Sequence, residues 1–159
     1  MSIDKDLLII GWREWVAFPE LGISTVKAKV DSGARTSALH AFSIERFHAN
    51  KQDRIRFKTH PVQYKHTPQI SCEARLLDIR PVTSSSGDTE VRHVIETPIY
   101  IGGHSWPVEL TLTNRSNMRF RMLLGRHAMK HRAILNPGRS YLTGTRQQLE
   151  NALHSFQDQ

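Results

Sequence analysis

One cysteine, Cys72, among 159 residues excludes an internal disulfide and any zinc cage built on paired thiolates. Stability must come from packing, and a chain this long can bury a real core without staples. Long apolar runs are also missing. The run at residues 7–10 is far too short for a signal-peptide core or a membrane span, so the expectation is a cytoplasmic protein without membrane contact. Acidic residues are few beside basic ones, 15 against 22, for a formal net charge of +7. With 38% hydrophobic and 23% charged residues, the composition is that of a folded protein, so the basic surface belongs to a folded body. The length predicts one domain, 1–159, and excludes a large multidomain enzyme.

A sustained helical period is absent until the C-terminus, where Leu149, Ala152, Leu153 and Phe156 share a face and predict a helix over about 145–156. The rest reads as short β-rich runs punctuated by Gly, Pro, Ser and Asn, which predicts a mainly β fold with its core over about 9–142. Trp12, Glu14 and Val16 alternate imperfectly. Val26, Ala28 and Val30 alternate cleanly with Thr25, Lys27 and Lys29, the period of a half-buried strand that ends on Asp31-Ser32-Gly33-Ala34. Alternation at 55–57 and 69–79 predicts further strands. Residues 76–82 and 89–95 form a predicted hairpin with a small-residue tip, and 97–101 with 106–113 a second. The run Met122-Leu123-Leu124 ends at Gly125-Arg126, and 127–132 reads as a short helix.

Asp-Ser-Gly alone is also an ordinary turn. Its weight comes from a second element about ninety residues on, where two large apolar residues and a glycine follow a hairpin and precede a short helix. A strand, an Asp-Ser-Gly-Ala loop, a flap-like hairpin and Leu-Leu-Gly-Arg, in that order, resemble the retropepsin-like aspartic proteases. The segments 30–40, 85–87, 113–118 and 122–126 most resemble a small bacterial domain labelled an ATP-dependent zinc protease and found near the glutamate ligase that modifies a ribosomal protein.

The resemblance implies a single-lobe acid-protease barrel, with a short helix after Leu-Leu-Gly-Arg, and an aspartic peptidase with Asp31 as its catalytic residue. Two carboxylates are needed, one as base on water and one protonated toward the scissile carbonyl. One Asp-Ser-Gly per chain therefore implies a homodimer with an Asp31 from each copy near the axis. Ser32 is expected to brace the loop, and the Gly33 and Ala34 amides to fix the carboxylates. Ser85, Ser86 and Gly87 would close over substrate. Arg35, Arg92, Arg115 and Arg126 would draw an acidic peptide such as an oligoglutamate tail. Implied partners are a glutamate ligase and a ribosomal protein.

Other readings stay open. Arg115 and Arg126 could instead pair with Glu109 or Glu96, and the positive charge could be a solvated surface. The alternative function is a non-catalytic basic β domain binding acidic protein or RNA. Nucleic acid is the weaker partner, because Trp12, Trp15 and Trp106 do not alternate with basic residues as a stacking platform would. No metal or other cofactor is assigned. His127 and His131 stand one helical turn apart but lack the glutamate of H-E-x-x-H, and Gly102-Gly103 lacks the Lys-Ser/Thr of a phosphate loop. Asp78 and Asp88 read as loop and turn residues, and 50–54 as a loop.

Overall fold

The computed structural model describes residues 6–84 and 86–158. Its eleven strands are β1 (Leu8–Gly11), β2 (Arg13–Phe18), β3 (Ile23–Asp31), β4 (Ser37–His40), β5 (Phe42–Ala49), β6 (Gln52–Thr59), β7 (Ile70–Thr83), β8 (Thr89–Ile101), β9 (His104–Thr113), β10 (Met122–Gly125) and β11 (Ala133–Asn136). Two helices accompany them, α1 (Arg126–Met129) and α2 (Arg146–Gln157). The order β2-β3-β10-β4-β9-β8 closes on itself through Ala17 and Tyr100 into a six-stranded barrel. The fold is mainly β, and a single closed barrel with a short helix after Gly125 is the architecture that the resemblance implies. From β8 the sheet continues outward through β7 and β6 to β5, while β1 and β11 form a separate parallel pair.

Alternation explains which strand faces turn inward. In β3 the side chains of Val26, Ala28 and Val30 are buried, and in β9 those of Trp106, Val108, Leu110 and Leu112. In β2 Glu14, Val16 and Phe18 are buried on the face toward the main core and Ala17 on the other, so the irregularity in the sequence is a glutamate on the core-facing side. Among the described residues no helix is long and apolar enough to cross a membrane. The C-terminal helix lies on the barrel wall, where Leu149 and Leu153 form a small second core with Ala17 and Tyr100. Thr145 caps it through a capping box with Gln148.

Several local expectations are corrected. Residues 42–49 form β5, unforeseen because none of its side chains is fully buried and Glu45, Arg46 and His48 are exposed. Asn50 and Lys51, both at positive φ, make a tight two-residue turn into β6 in place of a loop. Asp78 lies in β7, next to a register shift. The helix after Gly125 stops at Met129, and His131 follows at φ 65°, so His127 and His131 do not share a helical turn. Residues 133–136 were not foreseen as a strand. They become one by pairing with β1, a contact distant in sequence.

His40 is 1% exposed, and its Nδ1 accepts the Arg115 N–H at 2.8 Å. Burial, followed by the charges of Arg121, His60, Arg115 and His66, lowers its pKa to about 4 from 6.5. Between those values the unfolded chain binds a proton that the folded chain refuses, so stability falls as pH drops through this window. We expect the loss at His40 to approach about 3 kcal/mol by about pH 4. Urea unfolding of wild type and His40→Gln from about pH 7.5 to about pH 4.5 measures it as a gap that closes toward acid. A pH-independent gap rules the effect out.

Candidate active site

The site is built where β3 ends. Strand β10 pairs in parallel with β3, with Leu124 beside Val30 and Gly125 beside Asp31. On its other edge β10 pairs antiparallel with β4, with Met122 beside Leu39 and Leu123 beside Ala38. It is thus threaded between two strands that are joined by the loop at residues 32–36. A strand flanked on both sides is buried, hence the apolar Met122 and Leu124. Gly125 is required because a Cβ there would lie 2.6 Å from the carbonyl carbon and oxygen of Thr36. The loop is then clamped from below. Gly125 N–H donates to Ser37 Oγ at 3.0 Å, Arg126 N–H to Ala34 O at 2.7 Å, and His127 N–H to Arg35 O at 3.0 Å.

Gly33 N–H donates to Asp31 Oδ1 at 2.9 Å, which fixes the carboxylate's rotation. The Ala34 amide bonds the Asp31 backbone carbonyl at 3.2 Å, not the carboxylate that the sequence reading assigned it. Asp31 is half-buried, whereas Ser32, Gly33 and Arg35 are exposed, so the carboxylate faces outward from a rigid loop. The exposed Arg126 guanidinium donates to Ser32 O at 2.9 Å and so supports the loop.

The flap-like hairpin is β7 and β8. At its tip Gly87 takes φ 91° and bonds back to Ser84 O at 3.0 Å. Ser86 and Gly87 are exposed, and Ser85 lies outside the described residues. Arg92 bonds Glu90 at 3.1 Å and Thr111 Oγ1 at 3.2 Å, and Thr111 in turn donates to Ser37 O at 2.9 Å. That chain links the hairpin to the first residue of β4.

Arg115 is placed differently from the substrate role in the sequence reading. It is buried, and its Nε donates to Phe120 O at 3.0 Å. Burial, and then the charge of Arg92, lower its pKa from the usual arginine value. It holds the 115–120 turn, and neither Glu109 nor Glu96 pairs with it. Glu109 belongs to Arg80 instead, at 3.1 Å, with His127 on its other side at 3.9 Å. Arg80 escaped the sequence reading, although it stands directly across from Arg92 in the hairpin. The clue was its position in the β7 alternation. Cys72 is buried and its thiol pushed up to about 12, so it is no nucleophile. Among the described residues no three His, Cys, Asp or Glu side chains are grouped to hold a metal ion.

A family model described as "Retropepsin-like aspartic endopeptidase RimB" matches residues 9–146. Among curated relatives, a "Probable alpha-L-glutamate ligase" of Shewanella halifaxensis (strain HAW-EB4) is 46% identical over 150 residues, 94% of this chain and 32% of that protein. One of the same name from Desulfotalea psychrophila is 45% identical over 137 residues, 86% of this chain and 30% of the relative. The chain therefore spans about a third of the length of the curated relatives it matches. A crystal structure of a Legionella pneumophila protein of unknown function, Lpg0085, superposes with a TM-score of 0.71 at 24% identity, covering 86% of this chain and 98% of the other. That likeness is one of fold.

Proposed function

The chain belongs to the RimB-like family of retropepsin-like aspartic endopeptidases, and from that premise we propose that it is an aspartic peptidase whose site is completed by a second copy. The observation that carries this reading is the Asp31 carboxylate, oriented by the Gly33 amide and otherwise facing out of a loop clamped over β10. Two such loops meeting across a twofold axis would bring two carboxylates together. Like charges that close cannot both ionise cheaply, so the pair holds one proton between them.

The ionised carboxylate takes a proton from water as the water oxygen attacks the scissile carbonyl carbon, while the protonated one donates to the carbonyl oxygen. The tetrahedral diol then collapses and the C–N bond breaks: the leaving nitrogen takes the proton that the first carboxylate took from water, and a diol hydroxyl returns its proton to the second, restoring the singly protonated pair. In this reading the β7–β8 hairpin closes over bound substrate and excludes water that would compete for these bonds.

The substrate class we propose is an acidic peptide tail, rich in glutamate, such as one added to a ribosomal protein. Arg35 and Arg126, exposed on and beside the Asp31 loop and without a carboxylate partner among the described residues, supply positive charge there, and charge of one sign concentrates the other. The relatives' name supports the same chemistry from the opposite direction, since a glutamate ligase makes the bond that this site would break. A second reading rests on that name too: the domain binds acidic tails for a ligase without cutting them.

Mass spectrometry distinguishes the two. A glutamate-tailed peptide incubated with the protein is expected to yield a ladder of shortened products, and a lysine-tailed control to stay intact. Binding of the acidic peptide with its mass unchanged would establish the second reading in place of the first.

A further inference from the structure

At the other end of β10 from Asp31 stands a buried arginine without a counterion, beside a buried histidine. Arg121 immediately precedes β10 and is 2% exposed, and His40 ends β4. They face each other across the two strands, with His40 N–H donating to Arg121 O at 2.8 Å, so their side chains leave the same face of the sheet. The Arg115 N–H occupies His40 Nδ1, which leaves the proton on Nε2. That Nε2 and the Nε and Nη1 of Arg121 are buried without a hydrogen-bond partner. Arg121 Nη2 reaches Lys65 O only at 3.4 Å. Among the described residues no carboxylate forms an ion pair with Arg121 or His40.

We propose that His40 and Arg121 form a buried site for a small anion, covered by the loop at 60–68 and separate from the Asp31 loop. Donors from two side chains, with no acceptor of their own, are what an anion needs and what a folded interior otherwise excludes. A water molecule could take some of these hydrogen bonds but would leave the guanidinium charge uncompensated. The neighbours deepen the positive potential, since Arg115, His60 and His66 all bear on His40. The ligand is a halide or a single carboxylate group, either free in solution or carried by an acidic peptide.

Melting temperature tests the site, with bromide, acetate or triglutamate added at one ionic strength against the bulky MES anion. At a concentration roughly a hundredfold above its dissociation constant, a bound anion should raise Tm by about 5–10 °C. Arg121→Met should lose the rise, and Lys130→Ala, at an exposed position on the barrel surface, should keep it. A rise with bromide or acetate assigns a free ion, and one with triglutamate alone assigns a peptide carboxylate. Equal melting in every salt, or an Arg121→Met protein that responds as wild type does, overturns the proposal. If Arg121→Met fails to fold, bromide-soaked wild-type crystals decide. An anomalous peak beside His40 Nε2 supports the site, and its absence together with a flat melting series overturns it.

Discussion

Asp31→Asn is expected to abolish cleavage of a glutamate-tailed peptide, by roughly a hundred- to ten-thousandfold, while leaving the barrel folded. Asn has the size of Asp and keeps an oxygen to accept the Gly33 N–H, so the loop geometry at 2.9 Å survives. What disappears is the group that takes the proton from water, and in a homodimer it disappears from both halves at once. The same variant tests the stoichiometry. When wild-type and Asp31→Asn chains are mixed equally and allowed to exchange, about a quarter of the dimers carry two aspartates, so activity should fall to about a quarter. A site complete within one chain would fall only to about half. Retention of full activity by the pure variant would remove Asp31 from the chemistry altogether.

Glu14→Ala should destabilise the fold by about 4 kcal/mol, the largest stability effect we expect from a single side chain. Glu14 is fully buried. Its carboxylate accepts Gly11 N–H at 2.7 Å, Leu142 N–H at 2.8 Å, Thr143 N–H at 3.1 Å and the Thr143 hydroxyl at 2.7 Å. It therefore joins the corner between β1 and β2 to the segment leading into α2. Alanine leaves the buried Gly11 N–H and the part-buried Leu142 and Thr143 donors unmatched, each at a cost of up to about 1–3 kcal/mol before relaxation. Against a domain stability of about 5–15 kcal/mol, that is a large share. Glu14→Gln turns an amide group toward donors and should lose about 2 kcal/mol. Urea unfolding measures both, and a Glu14→Gln protein within about 0.5 kcal/mol of wild type would show that the charge is not needed there.

The legible parts of this molecule were those fixed by neighbours in the chain. The Asp31 turn and the Leu123-Leu124-Gly125 run are short, and their residue types answer local demands: a hydroxyl and a glycine around a carboxylate, a glycine under a backbone. The hairpins at 76–95 and 97–113 were legible for the same reason. What escaped depends on partners far along the chain. Residues 133–136 become a strand only by lying against β1. Arg121 is buried only because β10 is flanked by β3 and β4, and nothing in Phe120-Arg121-Met122 marks that arginine as interior. Glu14 disturbed an otherwise readable alternation, and the disturbance was itself the signal of a core-facing carboxylate. Arg115 and Arg126 illustrate the limit for the site. Their proximity to the motif was readable, but not that one would be turned inward to Phe120 O and the other to the loop backbone.

The insertion of β10 between β3 and β4 also sets an order of assembly. Strand β3 waits for a partner about ninety residues downstream, a loop closure that is entropically costly and slow. Hairpins β5 with β6, β7 with β8, and β8 with β9 join neighbours in sequence and can form first. During synthesis, residues 31–36 emerge before residues 122–125 and remain without the strand that shapes them until residue 125 has left the ribosome. A nascent chain therefore carries its aspartate but not its active-site loop, and the molecule acquires that loop only as the barrel closes.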